Sequence, residues 1–337
     1  MRRQIILAAT LLFCLSCTIH PFEDNIFQET VFSICGDTKA TSGLMETAVN
    51  HWAVMVFDTG NSYAFYYAVS NSGSDITCTV RKDRPYRAYA IVNYPKDGQG
   101  AFDPSLIESE SQLNEYTSYL SGNSPSSLTM FGNVYLGAPP TGRTNISVSR
   151  LCSKISIQKI TIDLTDPAYE GHECILNALY LTNVYCAGSF CTDHDSPLDE
   201  PALWYNVMGW HGSGSIESMD NMLGDRGLSQ SIPDGSSYTV THSFYAYPNA
   251  TEDDSRSETW SPRCTRLVIE ATLCNKRYYY PITIPAMRRN YSYIVTEAII
   301  KGPGSLDPEI EIPGVLDVSL TITTNTWDSV YYISEGS

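Results

Sequence analysis

The densest run of groups able to hold a hard cation or move a proton is Asp193-His194-Asp195, with Asp199 and Glu200 close behind. Such a cation needs several oxygen ligands at defined spacing, and no further set accompanies this run, so it reads as a solvated acidic loop. His211, between Trp210 and Gly212, is isolated, and His242 falls within a strand alternation as a sheet residue. There is no P-loop, dinucleotide glycine fingerprint, nucleophile elbow or HExxH helix. Ten cysteines include Cys14 and Cys17 near the start and eight others. Cys186 and Cys191 are the expected disulfide pair, because they flank Ala187-Gly188-Ser189-Phe190, where a glycine permits a tight turn. Zinc would need a second close pair at ligand spacing, and none exists. Phe65-Tyr66-Tyr67 and Tyr278-Tyr279-Tyr280 could stack on sugars, but within strands such groups serve cross-strand packing. The reading is therefore of a protein that is not an enzyme and uses no cofactor or metal.

The elements that would carry these residues are mainly strands. The chain has 337 residues, 23 of them Tyr, with 42% hydrophobic and 17% charged residues, which suits ordinary cores built from β structure. Its 21 basic against 37 acidic residues give a net charge of -16, the wrong sign for gripping a nucleic-acid backbone. Trp52, Val54 and Val56 alternate up to Asp58-Thr59-Gly60-Asn61, and Tyr63, Phe65, Tyr67 and Val69 alternate beyond it, which predicts a hairpin. Asp103 and Pro104 open a predicted helix running to Leu120, with Leu106, Leu113, Tyr116 and Leu120 on one face. The apolar phase slips after Ile157, predicting a bulge at Gln158-Lys159, and Ile175 to Tyr185 is apolar on both faces, as a central strand is. The polar stretch from Asp163 to Glu173 marks a boundary. The predicted domains are residues 18–165 and 166–337, each an antiparallel sandwich, behind an export signal over residues 1–17.

That signal consists of the basic Met1-Arg2-Arg3-Gln4 and an apolar run from Ile5 to Leu15, too short to span a bilayer. It ends in Ser16-Cys17 and resembles the lipobox at which bacterial lipoproteins are cleaved and lipidated, with Cys14 where Leu is usual. Cys17 is then the lipidated residue, and attachment to the outer membrane would be through lipid.

A set of segments in fixed order carries a further resemblance: Asp37-Thr38-Lys39-Ala40-Thr41 after the first strand, Trp52 to Asp58, Tyr89-Ala90-Ile91-Val92-Asn93, Met130-Phe131-Gly132, Arg150-Leu151-Cys152-Ser153-Lys154-Ile155, and Arg289-Asn290-Tyr291-Ser292-Tyr293. Together they resemble the fimbrillins, the pilus subunits of Bacteroidales, over nearly the whole chain. Ser153 stands where that family usually has Ala, Lys39 where it often has Arg, and the cysteines are more numerous, as a divergent accessory subunit would allow. The resemblance implies two transthyretin-like β-sandwich domains with one or few short helices, and cleavage between Lys39 and Ala40 at the cell surface. It also implies assembly into a fimbrium by strand exchange with other pilus subunits, a host or bacterial receptor being a further partner. Trp327, Tyr331 and Ile333 share one face of the C-terminal segment and are the expected donor-strand residues. A surface glycan-binding lipoprotein that does not polymerise, and a hydrolase using the Asp193 to Glu200 loop, are the alternative functions.

Overall fold

The computed structural model describes residues 26–36, 46, 48–71, 74–98, 100–191, 204–205, 213–214, 220–240, 242–254 and 262–323. Its first part contains strands β1 (Phe27–Gly36), β2 (Trp52–Asp58), β3 (Ala64–Ser70), β4 (Ile76–Arg81) and β5 (Tyr86–Val92), helix α1 (Glu110–Asn114), then β6 (Thr117–Tyr119), β7 (Met130–Leu136) and β8 (Arg143–Arg150). Next come β9 (Ser153–Ile157), β10 (Lys159–Ile162), β11 (Cys174–Thr182), β12 (Val184–Tyr185), β13 (Ala187–Ser189), β14 (Trp204–Tyr205) and β15 (Ser213–Gly214). Helix α2 (Asp220–Leu223) leads to β16 (Gly224–Ile232), β17 (Ser237–Thr239), β18 (Ser243–Ala246), β19 (Thr265–Leu273), β20 (Lys276–Ile284), β21 (Ser292–Ile300) and β22 (Leu316–Thr323).

The first seven-stranded sheet runs β3-β2-β5-β7-β8-β1-β4. It folds over at β8, whose last residues pair with β7 (Met130↔Arg150, Phe131↔Ser149) while the rest pairs with β1. Two halves therefore face each other, β3-β2-β5-β7 and β8-β1-β4. Between them lies a core of Trp52, Val54, Val56, Tyr86, Ala88 and Ala90 from one half and Phe32, Ile76, Cys78, Val80, Ile146 and Val148 from the other. The expected hairpin forms as β2 and β3. Every residue of β2 is buried, because Ala53, Met55 and Phe57 on its second face join a larger core that continues through the rest of the chain. Gly132 lets β7 approach β8 closely: a Cβ there would stand 1.9 Å from the Ser147 carbonyl oxygen.

The second sandwich packs β16-β11-β19-β20 against a sheet built on β21, which carries β9 and β10 in line along one edge and β22 along the other. Gln158 is the break between β9 and β10, as the slipped apolar phase predicts, and its amide still bonds to the Val295 carbonyl at 2.9 Å. β11 is central, paired on both sides. The chain changes sheet between Arg150 and Ser153, so β9 and β10 lie in the second sandwich although the sequence boundary near residue 165 assigns them to the first. The predicted helix from Asp103 to Leu120 is broken into pieces. Asp103 caps only a short 3-10 turn (Pro104–Leu106), Ile107 returns to extended backbone, and Ser109 caps the single turn α1. Residues 117–119 are then claimed by pairing with β13, which outweighs helical spacing, and Leu106 is 72% exposed.

Candidate functional site

β1 is the middle strand of the three-stranded half β8-β1-β4. Its residues are rich in β-branched and aromatic types, Thr30, Val31, Phe32 and Ile34, which favour extended backbone. It runs antiparallel to β4, from Phe27↔Arg81 to Phe32↔Ile76, and parallel to β8, from Val31↔Arg143 to Gly36↔Val148. Both neighbours are remote in sequence. The even positions face inward: Thr30 and Phe32 are fully buried, and Ile34 packs on the same core. On the other face Phe27 is 48% exposed. The inward polar groups are satisfied by the turn before β8, with Gln28 Nε2 donating to Pro140 O at 3.0 Å and Thr30 Oγ1 donating to Thr141 O at 3.1 Å.

Removing β1 would leave a slot one strand wide. Its walls are the backbone edges of β4 and β8, each then lacking a ladder partner, and its floor is the apolar set around Trp52, Val54 and Ile146. A slot of this kind accepts a strand: backbone groups supply affinity, and inward side chains supply selectivity. An exposed ion pair between Arg143 and Asp75 links the start of β8 to the approach to β4.

Beyond Gly36 lies the segment of the expected cleavage site. Lys39 and Ala40 fall outside the described residues, as do Cys17, the run Asp193 to Glu200, His211, and the donor residues Trp327, Tyr331 and Ile333. The chain is described again at Glu46, a residue that periodicity and motif reading pass over. Its carboxylate is 8% exposed as a residue and accepts from Lys154 Nζ at 2.8 and 3.0 Å and from the Tyr245 hydroxyl. Burial and the Glu46 carboxylate both push the Tyr245 hydroxyl far above its ordinary titration range, so it stays a donor. Arg150 Nε donates to the Glu46 carbonyl at 3.2 Å, and Arg150 also donates to Asn290 Oδ1. Asn290 stands at φ 60 and returns its amide to Cys152 O at 3.0 Å. The segments Arg150 to Ile155 and Arg289 to Tyr293 thus meet at the junction between the two sandwiches. Arg289 ties that junction to β13 by donating to Ser189 O and Phe190 O at 3.0 and 2.9 Å.

The disulfide expectation is corrected. Cys186 and Cys191 are both free thiols. The four residues between them do not form a tight turn, because Ala187 to Ser189 extend to pair with β6, which carries the two side chains apart. Cys186 is buried in the core, its thiol held far above the ordinary range by burial, and Cys191 points to Leu113 O at 3.8 Å. Tyr278 and Tyr280 are buried core residues, the latter donating to Gly302 O at 2.9 Å. His242 sits 3.2 Å from Asp225 at the second sandwich. Among the described residues, no group of three or more His, Cys, Asp and Glu is arranged to hold a metal ion, and no helix is long and apolar enough to cross a membrane. A second groove, of about 460 Å³, opens between β20 and β22, lined by Ile282, Leu316, Val318 and Leu320.

No protein-family model matches the chain, and no curated protein matches it. Solved structures do. A candidate cell adhesion protein from Bacteroides eggerthii aligns with TM-score 0.62 at 16% identity, covering 88% of this chain and 95% of its own. A fimbrilin from Porphyromonas gingivalis aligns with TM-score 0.58 at 14% identity, covering 88% and 96%. A candidate cell adhesion protein from Parabacteroides distasonis gives 0.58 at 14%, covering 88% and 98%. At these identities the likeness is one of fold: the chain has the β-sandwich fold found in fimbrilins and in these Bacteroidales proteins.

Proposed function

We propose that this chain is a structural or adhesive subunit of a surface pilus. In this reading it is exported as a lipoprotein lipidated on Cys17, held at the outer membrane by that lipid, cut between Lys39 and Ala40, and assembled by strand exchange with other pilus subunits. The observation that carries the reading is the position of β1, a central strand bonded on both edges to strands far along the chain and followed directly by the segment containing Lys39. Loss of β1 opens a slot that is apolar and lined by unpaired backbone, and a strand from a second copy of the chain repairs both defects at once. The fold shared with fimbrilins supports the same reading. The role is mechanical and adhesive, not enzymatic, and a receptor on a host or bacterial surface is a further partner.

The donor is the segment Trp327 to Ile333. The groove between β20 and β22 favours a second reading for this segment, since the chain continues from Thr323 at the end of β22 and could close its own sandwich there. Deleting residues 327–337 separates the two. A donor role predicts folded monomers that no longer polymerise after cleavage; undiminished polymers on electron micrographs would exclude it. Mass spectrometry of protein extracted from the cell surface should find chains beginning at Ala40. A surface carrying only Cys17-linked chains would instead indicate a lipoprotein that is not processed.

A further inference from the structure

The chain on the two sides of the expected cleavage site is held by different parts of the molecule. Upstream, β1 is fixed by β4 and β8 of the first sandwich. Downstream, the Glu46 carboxylate is bound by Lys154 on β9 and Tyr245 on β18, both in the second sandwich, and its carbonyl by Arg150 at the junction. The next residues have their own supports. Asn93 Nδ2 donates to Ala48 O at 2.6 Å, Asn50 N donates to Asn93 Oδ1 at 2.9 Å, and Asn93 N donates to His51 O at 2.9 Å. His51 Nε2 meets Tyr94 O at 2.9 Å. Each of these bonds comes from an element other than β1.

We infer that Glu46 is a clamp that fixes the chain just downstream of the cleavage segment to the second sandwich, so that β1 can be cut away without unseating β2. This rests on the reading that β1 is removed. A charged carboxylate at this depth is tolerable only with its partners in place, so the contact has one geometry or none. It is a positioning residue. Without it, a cut between Lys39 and Ala40 would leave the new end secured ahead of β2 by the bonds of Asn93 and Tyr94 to residues 48–51, and fraying would come up to the edge of Trp52 on the floor of the slot. With it, fraying stops at residue 46, and the floor on which an incoming strand packs stays ordered.

The test is hydrogen–deuterium exchange of the peptide covering residues 46–51 in the exported chain. It is measured uncut, and again after a limited trypsin cut and removal of the leading fragment in mild urea. In the wild type, protection of 46–51 should be the same before and after β1 leaves. In Glu46→Ala it should fall on the order of a hundredfold in the uncut chain, with protection of β19 and β11 unchanged. Glu46→Gln, which keeps an acceptor for the Tyr245 hydroxyl, should fall between, and Lys154→Met gives an independent route should the alanine variant fail to fold. Wild-type protection of 46–51 that disappears together with β1, or Glu46→Ala exchange equal to wild type, would overturn the clamp. A chain that trypsin does not cut near Lys39 would count against the processing reading, while the uncut comparison still decides the clamp.

Discussion

Phe32→Ala measures how β1 is held. Phe32 is fully buried between the two halves of the first sandwich and is the only large β1 side chain among its fully buried residues. Truncating such a phenylalanine costs about 3–5 kcal/mol, from lost transfer energy plus the cavity left behind. Phe27 on the same strand is 48% exposed and faces away, so Phe27→Ala should stay within about 1 kcal/mol of wild type. Urea unfolding of the uncut chain reads the first quantity as a shift of midpoint at unchanged slope. A second readout follows the leading fragment after a protease cut. With about 1.4 kcal/mol to each factor of ten, the same loss should weaken retention of the cut strand by roughly two to three and a half orders of magnitude. Release is timed by size exclusion and mass spectrometry. A Phe32→Ala loss below about 1 kcal/mol, or equal losses for Phe27 and Phe32, would refute the assignment of inward and outward faces and with it the slot.

Gly132→Ala should cost at least about 3 kcal/mol or prevent folding, because its Cβ would meet backbone that cannot step aside; Gly137→Ala, which meets open space, should be nearly neutral in the same thermal melt. Acid should remove one identifiable contribution. Burial pushes the Asp254 carboxyl up, but Arg266 and the Cys264 amide hold it below its ordinary value of 3.8. Because the folded pKa is depressed, the contribution is complete above the unfolded value and is lost as pH falls through the folded one, so wild type and Asp254→Asn should converge in urea midpoint below about pH 4. Cys274 is the exposed thiol among the seven described free cysteines, and burial raises Cys78, Cys152, Cys174 and Cys191 to about 12. A maleimide should therefore modify Cys274 in the native protein far faster than those four, with peptide mapping as the check; rapid labelling of Cys186 would contradict the core described above.

Local alternation was enough to expose the hairpin of β2 and β3, the break at Gln158 and the central character of β11, because each is encoded within one strand or between adjacent ones. What could not be read is where strands go once formed. Nothing in Phe27 to Gly36 says that its partners begin at Ile76 and Arg143, and nothing at Lys159 to Ile162 says that they belong with Ile300 rather than with the preceding strands. The helix over 103–120 failed for a related reason, since helical spacing competed with pairing to a strand some 70 residues away that the spacing did not reveal. Glu46 was illegible for the same cause in sharper form. A lone acid in a loop is ordinarily solvated, and only the fold brings Lys154 and Tyr245, separated from it by 108 and 199 residues, to its two sides.

The slot also constrains what can fill it. β2 and β3, β19 and β20, and β21 and β22 pair with a chain neighbour, so removing one strand leaves its partner tethered alongside. β1 has no such tether, and a replacement has only to reproduce two ladders and one face. Reading that face in order gives Gln28, Thr30, Phe32 and Ile34; the same positions of the proposed donor are Trp327, Ser329, Tyr331 and Ile333. A small hydroxyl residue is followed in both by an aromatic and then isoleucine. Laid in the direction of β1, Ser329 takes the place of Thr30, whose hydroxyl satisfies Thr141 O, and Tyr331 takes the place of Phe32 opposite Ile76. Ser329→Val would then remove a part-buried hydrogen bond to the Thr141 carbonyl at a net cost of about 0.5–1.5 kcal/mol, weakening a peptide of residues 325–335 for the strand-free chain roughly 2- to 10-fold. Tyr331→Cys in one copy and Ile76→Cys in another should cross-link within polymers. Polymers that form without that cross-link, or a Ser329→Val peptide that binds as well as wild type, would show that any inserted strand runs in another register or in the opposite direction, since a one-residue shift turns Tyr331 out of the slot.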